Sequence, residues 1–266
     1  MNRELNNTST TIVTALFDIE RDKWDNFTMT YDAYLAWMKN MLNIDQYMII
    51  YTEEKFFKPI FEMRSEVDPK MKKTKIRIVT LENSHCDKLW GTRIRRVMAS
   101  EEFKKDVSFH DVPEMCKPWY NILMYSKIYW MNLAINSDYF NTDNFMWLDA
   151  GTFRDLGNDV HKQYNIKWPV KQLQKPTFFC HHDTIRINNE KQHSLSQMRF
   201  IHGTCFVIPK QYFQEFKDDF ENTLDNMLKN NYVGSDEKVL DLVFLENTDK
   251  FDLIVSDWRE YFTRLL

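Results

Sequence analysis

Glycine and proline are scarce in this sequence, which has 5 glycines and 7 prolines among 266 residues. Flexible linkers are rich in these residues, so the composition leaves little material for them. Hydrophobic residues at 43% and aromatic residues at 15% are typical of a globular protein. We therefore expect a flexible N-terminus over residues 1–9 and a single domain over residues 10–266.

Paired cysteines and long apolar runs are also missing. The cysteines never form CxxC spacing, which disfavours a zinc ribbon or a redox pair and predicts reduced thiols at Cys86, Cys116, Cys180 and Cys205. No apolar stretch of signal-peptide length opens the chain, and no apolar run is long enough to span a membrane. These features predict a cytoplasmic protein without a transmembrane segment.

A basic excess is absent as well, since 35 lysines and arginines stand against 39 aspartates and glutamates and the net charge is -4. Binding of nucleic acid by charge needs a basic surface, so we expect no nucleic-acid partner. Three common motifs are missing too: G-x-G-x-x-G of dinucleotide-binding folds, G-x-x-x-x-G-K-[ST] of P-loops and G-x-S-x-G of α/β-hydrolases.

Apolar runs and amphipathic segments alternate along the chain. Short β-branched or apolar runs predict strands at residues 10–17, 46–52, 75–81, 145–148, 176–180, 200–209 and 251–256. Helical spacing predicts helices at residues 30–42, 54–65, 84–105, 121–135 and 212–229, with a further helix that begins near residue 236. Such alternation predicts an α/β fold with a mainly parallel central sheet and helices on both faces.

The stretch NFMWLDAGTF, residues 144–153, is the centre of this pattern. Its run FMWL has no polar member, so both faces of the strand should be buried in the sheet. Asp149 follows directly, and ligands of open α/β sheets sit outside the carboxyl ends of the strands. Asp149 is therefore a candidate ligand for a metal ion or a phosphate group, and its alternative role is to cap the following turn.

Other charged residues occupy comparable positions. Asp18 ends the first strand and opens a charged loop that includes Arg21. Arg93 lies in a charged helical segment, where a solvated face is the favoured interpretation. Lys127 is the only charge in the apolar segment 121–135, so it either extends to solvent or reaches an anionic partner.

Two adjacent carboxylates, Asp236 and Glu237, follow a break in the pattern at Gly234, and they either cap a helix or contribute to a site. Carboxylates at strand ends together with isolated cations suit a nucleotide diphosphate. A transferase that uses such a donor must neutralise the diphosphate that leaves, with a divalent ion or with lysine and arginine. Mg²⁺ or Mn²⁺ would need only one or two carboxylates besides phosphate oxygens and water.

Histidines gather late in the chain, at His181, His182, His193 and His202, beside Cys180 and Asp183. Adjacent ligands do not easily close one tetrahedral site, and no second pair has structural-zinc spacing, so a zinc site is disfavoured. A metal-dependent phosphohydrolase that uses Cys180, His182 and Asp183 is the least favoured of the functional hypotheses.

Four stretches carry a resemblance to a known family: TTIVTALFDIERDKW at residues 10–24, the tyrosine-rich helix after it, the apolar helix with an SK pair before NFMWLDAGTF, and the late GSDE segment. The sequence resembles the HtrL/YibB family, also called WlaTC-type glycosyltransferases, over most of its length. The resemblance implies a nucleotide-diphospho-sugar transferase fold of the GT-A kind, in which a D-x-D motif closes the central strand and holds the metal and the donor.

The resemblance also assigns roles to residues. Asp149 matches the first acidic residue of the motif and would bind the metal and the donor, while the second carboxylate is missing because Asp149-Ala150-Gly151 stands in its place. The other residues implied to bind the donor are Thr14 and Asp18 of the first strand, Arg21 after it, and Lys127 on a helix that faces the donor.

Two function hypotheses from different classes follow. The first is a glycosyltransferase that moves a sugar from a nucleotide-sugar donor to a glycan or lipid-linked acceptor, assisted by Mn²⁺ or Mg²⁺, with Asp236 and Glu237 as catalytic residues near the acceptor. An inverting enzyme needs one carboxylate as general base, whereas a retaining enzyme does not. The second is a non-catalytic sugar-nucleotide or glycan-binding module with a degenerate D-x-D motif.

Overall fold

The computed structural model describes residues 10–82, 84–154, 173–182 and 186–257. The predicted flexible N-terminus, residues 1–9, lies outside these ranges, and so does Asp183. Within them, seven strands form one sheet. The strands are β1 (Thr10–Leu16), β2 (Tyr47–Thr52), β3 (Thr74–Ile78), β4 (Asn144–Leu148), β5 (Thr177–Cys180), β6 (Ile201–Pro209) and β7 (Asp252–Val255).

The sheet has the strand order β3-β2-β1-β4-β6-β5-β7, so β4 occupies its centre. The pairs β1–β2, β1–β4, β2–β3 and β5–β7 are parallel. Strand β6 runs antiparallel to both of its neighbours, β4 and β5. The predicted mainly parallel sheet is therefore confirmed, with one reversed strand in it.

Helices cover the sheet. Within the described residues they are α1 (Tyr31–Leu42), α2 (Glu54–Ser65), α3 (Thr92–Ala99), α4 (Glu101–Asp106), α5 (Pro113–Cys116), α6 (Pro118–Ser137), α7 (Glu190–Ser194), α8 (Phe213–Lys229) and α9 (Asp236–Glu246). Of these, α1, α2, α6, α8 and α9 agree with the predicted helices to within a few residues. Across the described part of the chain, no helix is both long enough and apolar enough to cross a bilayer.

Alternate residues of the central strands face two separate cores. In β1, Val13 belongs to the core beneath α6, α8 and α9, and Ile12 belongs to the core beneath α1 and α2. In β4, Trp147 belongs to the first of these cores and Met146 to the second. Because every residue of β4 is buried, the prediction of a strand covered on both faces is confirmed.

The charged segment 84–105 differs from the single helix that its pattern predicts. A π-helical turn, Asp87–Gly91, precedes α3, and the chain breaks at Ser100, whose backbone is extended. The Ser100 hydroxyl then accepts a hydrogen bond from the backbone N–H of Phe103 at 3.2 Å and starts α4 as an N-cap. All four cysteines lie within the described residues and are thiols, as predicted.

Candidate functional site

An open cavity of about 300 Å³ lies outside the carboxyl ends of β1 and β4. Strand β1 is parallel to both β2 and β4, so these three strands end at the same edge of the sheet. The volume is at the lower end of the range for small-molecule sites. The charged side chains that line the cavity, within the described residues, are Arg21, Lys127, Asp149, Arg154, Arg199, Asp236 and Glu237.

Asp149 stands at the carboxyl end of β4, on the wall of this cavity. Its backbone carbonyl holds the following turn, because it accepts hydrogen bonds from the Thr152 N–H at 2.9 Å and the Thr152 hydroxyl at 2.7 Å. Its carboxylate instead accepts a hydrogen bond from the Trp147 indole N–H at 2.6 Å. The hydrogen bonds of the turn therefore come from the backbone of Asp149, and the carboxylate is directed to the site.

Lys127 extends from α6 and is only 2% exposed. Its Nζ lies 3.0 Å from Asp149 Oδ1 and 2.7 Å from Asp236 Oδ2, and it donates to the Gly203 carbonyl oxygen at 2.9 Å. Burial opposes the charge, but the two carboxylates outweigh burial and raise the pKa of Lys127 above its ordinary value. Lys127, the only charge in the apolar segment 121–135, therefore pairs with two carboxylates that lie on different elements of the fold.

Asp236 is the first residue of α9 and is 4% exposed. Its close approach to β6 depends on Gly203, because a Cβ on that residue would lie 2.5 Å from Asp236 Oδ2. The chain therefore needs a glycine in β6 to bring the carboxylate of Asp236 against the ammonium group of Lys127.

Glu237 lies next to this group and contacts a second cation. Its carboxylate accepts a hydrogen bond from the Gly203 N–H at 3.3 Å and lies 3.2 Å from Arg199 Nε. Burial raises the pKa of Glu237 to about 7, with Arg199 opposing the shift and Asp236 adding to it. A carboxyl group with such a pKa exchanges its proton near neutral pH, as a general base or acid requires.

Aromatic rings form the other walls of the cavity. They belong to Phe17, Tyr31, Tyr34, Trp37, Tyr120, Trp130 and Trp147. Gly151 brings the chain close to this wall, since a Cβ there would be in contact with the Tyr34 ring at 3.5 Å. Tyr34 lies on α1, within the helix predicted over residues 30–42, and helical periodicity alone does not distinguish a core position from a cavity wall.

The remaining predicted donor-binding residues lie at different places. Thr14 is fully buried within β1 and does not line the cavity. Asp18 pairs with Lys55 at the start of α2 and lies outside the lining, whereas Arg21 is part of it. The Arg21 guanidinium donates to the Tyr34 hydroxyl and, at 3.3 Å, to the Phe27 carbonyl.

Several cavity residues were not identified in the sequence. Arg199 lies at the end of an irregular segment with no motif. Only its ion pairs with Glu237 and Glu114 in the folded protein place it at the site. Of the late histidines, His181 and His202 line the cavity with their rings 4.0 Å apart. His193 is elsewhere, because its Nε2 lies 2.9 Å from Asp241 Oδ2 in the core.

The residues of the cavity do not fit a divalent metal ion in this arrangement. Within the described ranges, no three His, Cys, Asp or Glu side chains come together as a metal site. Asp149 and Asp236 already share the Lys127 ammonium. The ammonium repels a second unit charge about 4 Å away by about 4 kcal/mol at an effective dielectric constant of about 20, which offsets the attraction of one carboxylate at that distance, and both energies double for a divalent ion. No observation tests the Mn²⁺ or Mg²⁺ that the resemblance implies at Asp149, and the position of Lys127 disfavours it.

Comparisons with known proteins support the resemblance. The profile of the family described as "Bacterial protein of unknown function (HtrL_YibB)" matches residues 8–266. Protein HtrL of Escherichia coli (strain K12) is 23% identical over 257 residues, which cover 92% of this chain and 87% of that protein. Because the family match spans nearly the whole sequence, the chain belongs to the HtrL/YibB family.

Proposed function

We propose that the protein is a glycosyltransferase that moves a sugar from a nucleoside diphosphate to a hydroxyl group of a glycan or a lipid-linked acceptor. One observation carries the proposal: Asp149, Lys127, Asp236 and Glu237 come from three separate segments and meet in one cavity beyond the central strand. The family is described as one of unknown function, so the comparisons add no activity; the resemblance of the sequence implies a transferase fold of the GT-A kind, which agrees with the proposal.

The aromatic walls suit both parts of such a donor. Tyrosine and tryptophan rings stack on nucleobases and on the apolar faces of sugars, and each stacked base contributes about 1 to 3 kcal/mol. Tyr34 and Trp37 pack edge to face with ring centroids 5.2 Å apart, so the two rings support each other in this part of the wall. A flat ligand would bind against it beside Arg21.

Glu237 is the residue that we assign to proton transfer. In an inverting reaction its carboxylate takes the proton of the acceptor hydroxyl while that oxygen forms a bond to the anomeric carbon. The bond from the anomeric carbon to the phosphate oxygen breaks, and its electron pair leaves with the diphosphate. In a retaining reaction no base is obligatory, and Glu237 then orients the acceptor.

Asp236, the other predicted catalytic residue, is assigned a different role. Its Oδ2 is held by Lys127, and its exposure is 4%, so little of it is open to a substrate. The side chain of Asp149 is 23% exposed and keeps a face toward the cavity. Asp236 therefore positions Lys127, and Asp149 is the carboxylate that would contact the donor.

A non-catalytic binding module is the alternative function. The single carboxylate at the end of β4 favours it, because the D-x-D pattern is incomplete. Such a module would bind the same sugar nucleotide and leave it intact.

A screen of UDP-sugars and GDP-sugars separates these functions. We expect one donor to raise the melting temperature, since a ligand that binds only the folded state stabilises it by mass action. The same donor should then release its nucleoside diphosphate when acceptors are added, and Glu237→Gln should bind it but release much less. Binding without release would support the module, and the absence of binding by every donor would refute both.

A further inference from the structure

We propose that Lys127 is a built-in cation that takes the place of a divalent metal between Asp149 and Asp236, so that the cavity binds a nucleoside diphosphate without metal. The identity of this ligand rests on the proposed function. The exclusion of metal by Lys127 is independent of that function, because it depends only on the side chains of the protein.

The atoms around Lys127 Nζ are of the kind that bind a hard metal ion. Two carboxylates and the Gly203 carbonyl supply oxygen atoms at 2.7 to 3.2 Å from Nζ. Carboxylate and carbonyl oxygens are the ligands that Mg²⁺ and related cations prefer. An ammonium group has three N–H donors, and here they face three oxygen-bearing partners. The position is thus filled by a cation that is covalently part of the chain.

The charges of the group agree with this assignment. One ammonium between two carboxylates leaves a single negative charge. A divalent ion added beside Lys127 would leave an excess positive charge in a buried place. If the ammonium were removed, a divalent ion would neutralise the two carboxylates. Lys127 therefore excludes the metal by occupying its position and by repelling it.

Arg21 supplies the charge that the diphosphate needs. Within the described residues, its partners are uncharged: the Tyr34 hydroxyl, the Phe27 carbonyl and the ring of Trp24, whose centroid is 5.5 Å away. These contacts fix the guanidinium at the cavity without neutralising it. A planar guanidinium binds two phosphate oxygens at once, so Arg21 is the expected contact of the diphosphate.

The first test measures Mn²⁺ bound by the metal-free protein, from the loss of the electron paramagnetic resonance signal of aqueous Mn²⁺. We expect no stoichiometric site in the wild type. Lys127→Met should bind one Mn²⁺ at least about a hundredfold more tightly, since a unit charge in contact with the ion is removed. Lys23→Met is the matched control, because Lys23 is exposed and its ammonium group pairs with Glu20 of the same turn; it should behave as the wild type.

Two results would overturn the inference. One is a wild-type Mn²⁺ site that Asp149→Asn abolishes, and the other is a folded Lys127→Met that gains no Mn²⁺ site. If Lys127→Met does not fold, the wild-type titration and the nucleotide titrations below decide the question.

The second test titrates UDP and GDP calorimetrically, in EDTA and in MnCl₂. After correction for the complex that Mn²⁺ forms with free nucleotide in solution, the two dissociation constants of the nucleotide that binds should agree within about twofold, because the protein does not couple metal and nucleotide. Arg21→Gln should weaken binding in both buffers, and Lys23→Gln should not. A requirement for Mn²⁺ would overturn the inference and leave the proposed function standing. Failure of both nucleotides to bind would refute the proposed function, while the Mn²⁺ titration would still decide the role of Lys127.

Discussion

Arg64 and Lys127, two of the buried cations of this protein, are almost equally hidden from solvent and have opposite surroundings. Arg64 is 0% exposed and donates to the backbone carbonyls of Leu42, Ile44 and Gln46 at 2.6 to 2.7 Å. Lys127 faces two carboxylates at the wall of a cavity. Burial alone therefore does not mark a functional residue, and the partners and their place in the fold do.

The pKa shifts of the two residues differ in the same way. Burial lowers the pKa of Arg64, because its strongest contacts are dipoles rather than full charges. The pKa of Lys127 is raised despite burial, because Asp149 and Asp236 stabilise its charged form. Arg64 fastens the end of α1 to the start of β2 and, through Thr74, to β3. Lys127 organises side chains instead of backbone.

The largest effect that we predict concerns Arg64. The substitution Arg64→Met keeps much of the volume but leaves buried carbonyls without donors, so the free energy of unfolding should fall by about 3 to 5 kcal/mol. Urea denaturation measures this loss. Donor binding per folded molecule should stay unchanged, and a variant that loses donor binding while keeping its stability would break the distinction between the two cations.

The second prediction concerns the pH dependence of stability at Glu237. Its pKa of about 7 in the folded protein exceeds the ordinary value of 4.5, so the folded state binds more protons than the unfolded state between these values. The stabilisation is complete below the unfolded pKa and is lost as pH rises through about 7. The free energy of unfolding of the wild type should therefore decline relative to Glu237→Gln over this range.

Thermal melts of both proteins from pH 4 to pH 8 would show this decline. Parallel curves would mean that Glu237 is not perturbed by burial. The turnover of the wild type should rise with pH through the same window if Glu237 is the base, because only the carboxylate accepts a proton.

The smallest expected effect is at Arg93, a partly exposed cation. Its guanidinium pairs with Asp225 on α8, and both side chains are about one-third exposed (31% and 38%). Arg93→Gln should therefore cost less than about 1 kcal/mol and leave donor binding unchanged. Urea denaturation and the donor titration check both statements, and a loss as large as that of Arg64→Met would contradict the ranking by burial and partners.

The sequence was sufficient for the parts of the fold that depend on local pattern. The apolar run of β4 and the position of Asp149 after it were predicted because a strand buried on both faces has no polar residue. Lys127 stood out because one charge in an apolar helix needs a partner. In both cases a few consecutive residues contain the whole signal.

The parts that depend on long-range contacts were not predicted. Asp236 meets Lys127 across 109 positions of sequence, and neither segment carries a signal for the other. The reversed direction of β6 was missed because no tight hairpin joins it to β4, and the long connection between them permits either direction. Arg199 likewise acquires its role only from Glu114 and Glu237, which are distant in the chain.

The release of a nucleoside diphosphate from its sugar donor, measured for the wild type and for Asp149→Asn, tests the central claim most directly. Asparagine keeps the shape of Asp149 and leaves Lys127 paired with Asp236, so the melting temperature should be nearly unchanged. Loss of the carboxylate at the donor should slow release by about a hundredfold to a thousandfold. Equal rates per folded molecule for the two proteins, or no release of any donor by the wild type, would contradict the account.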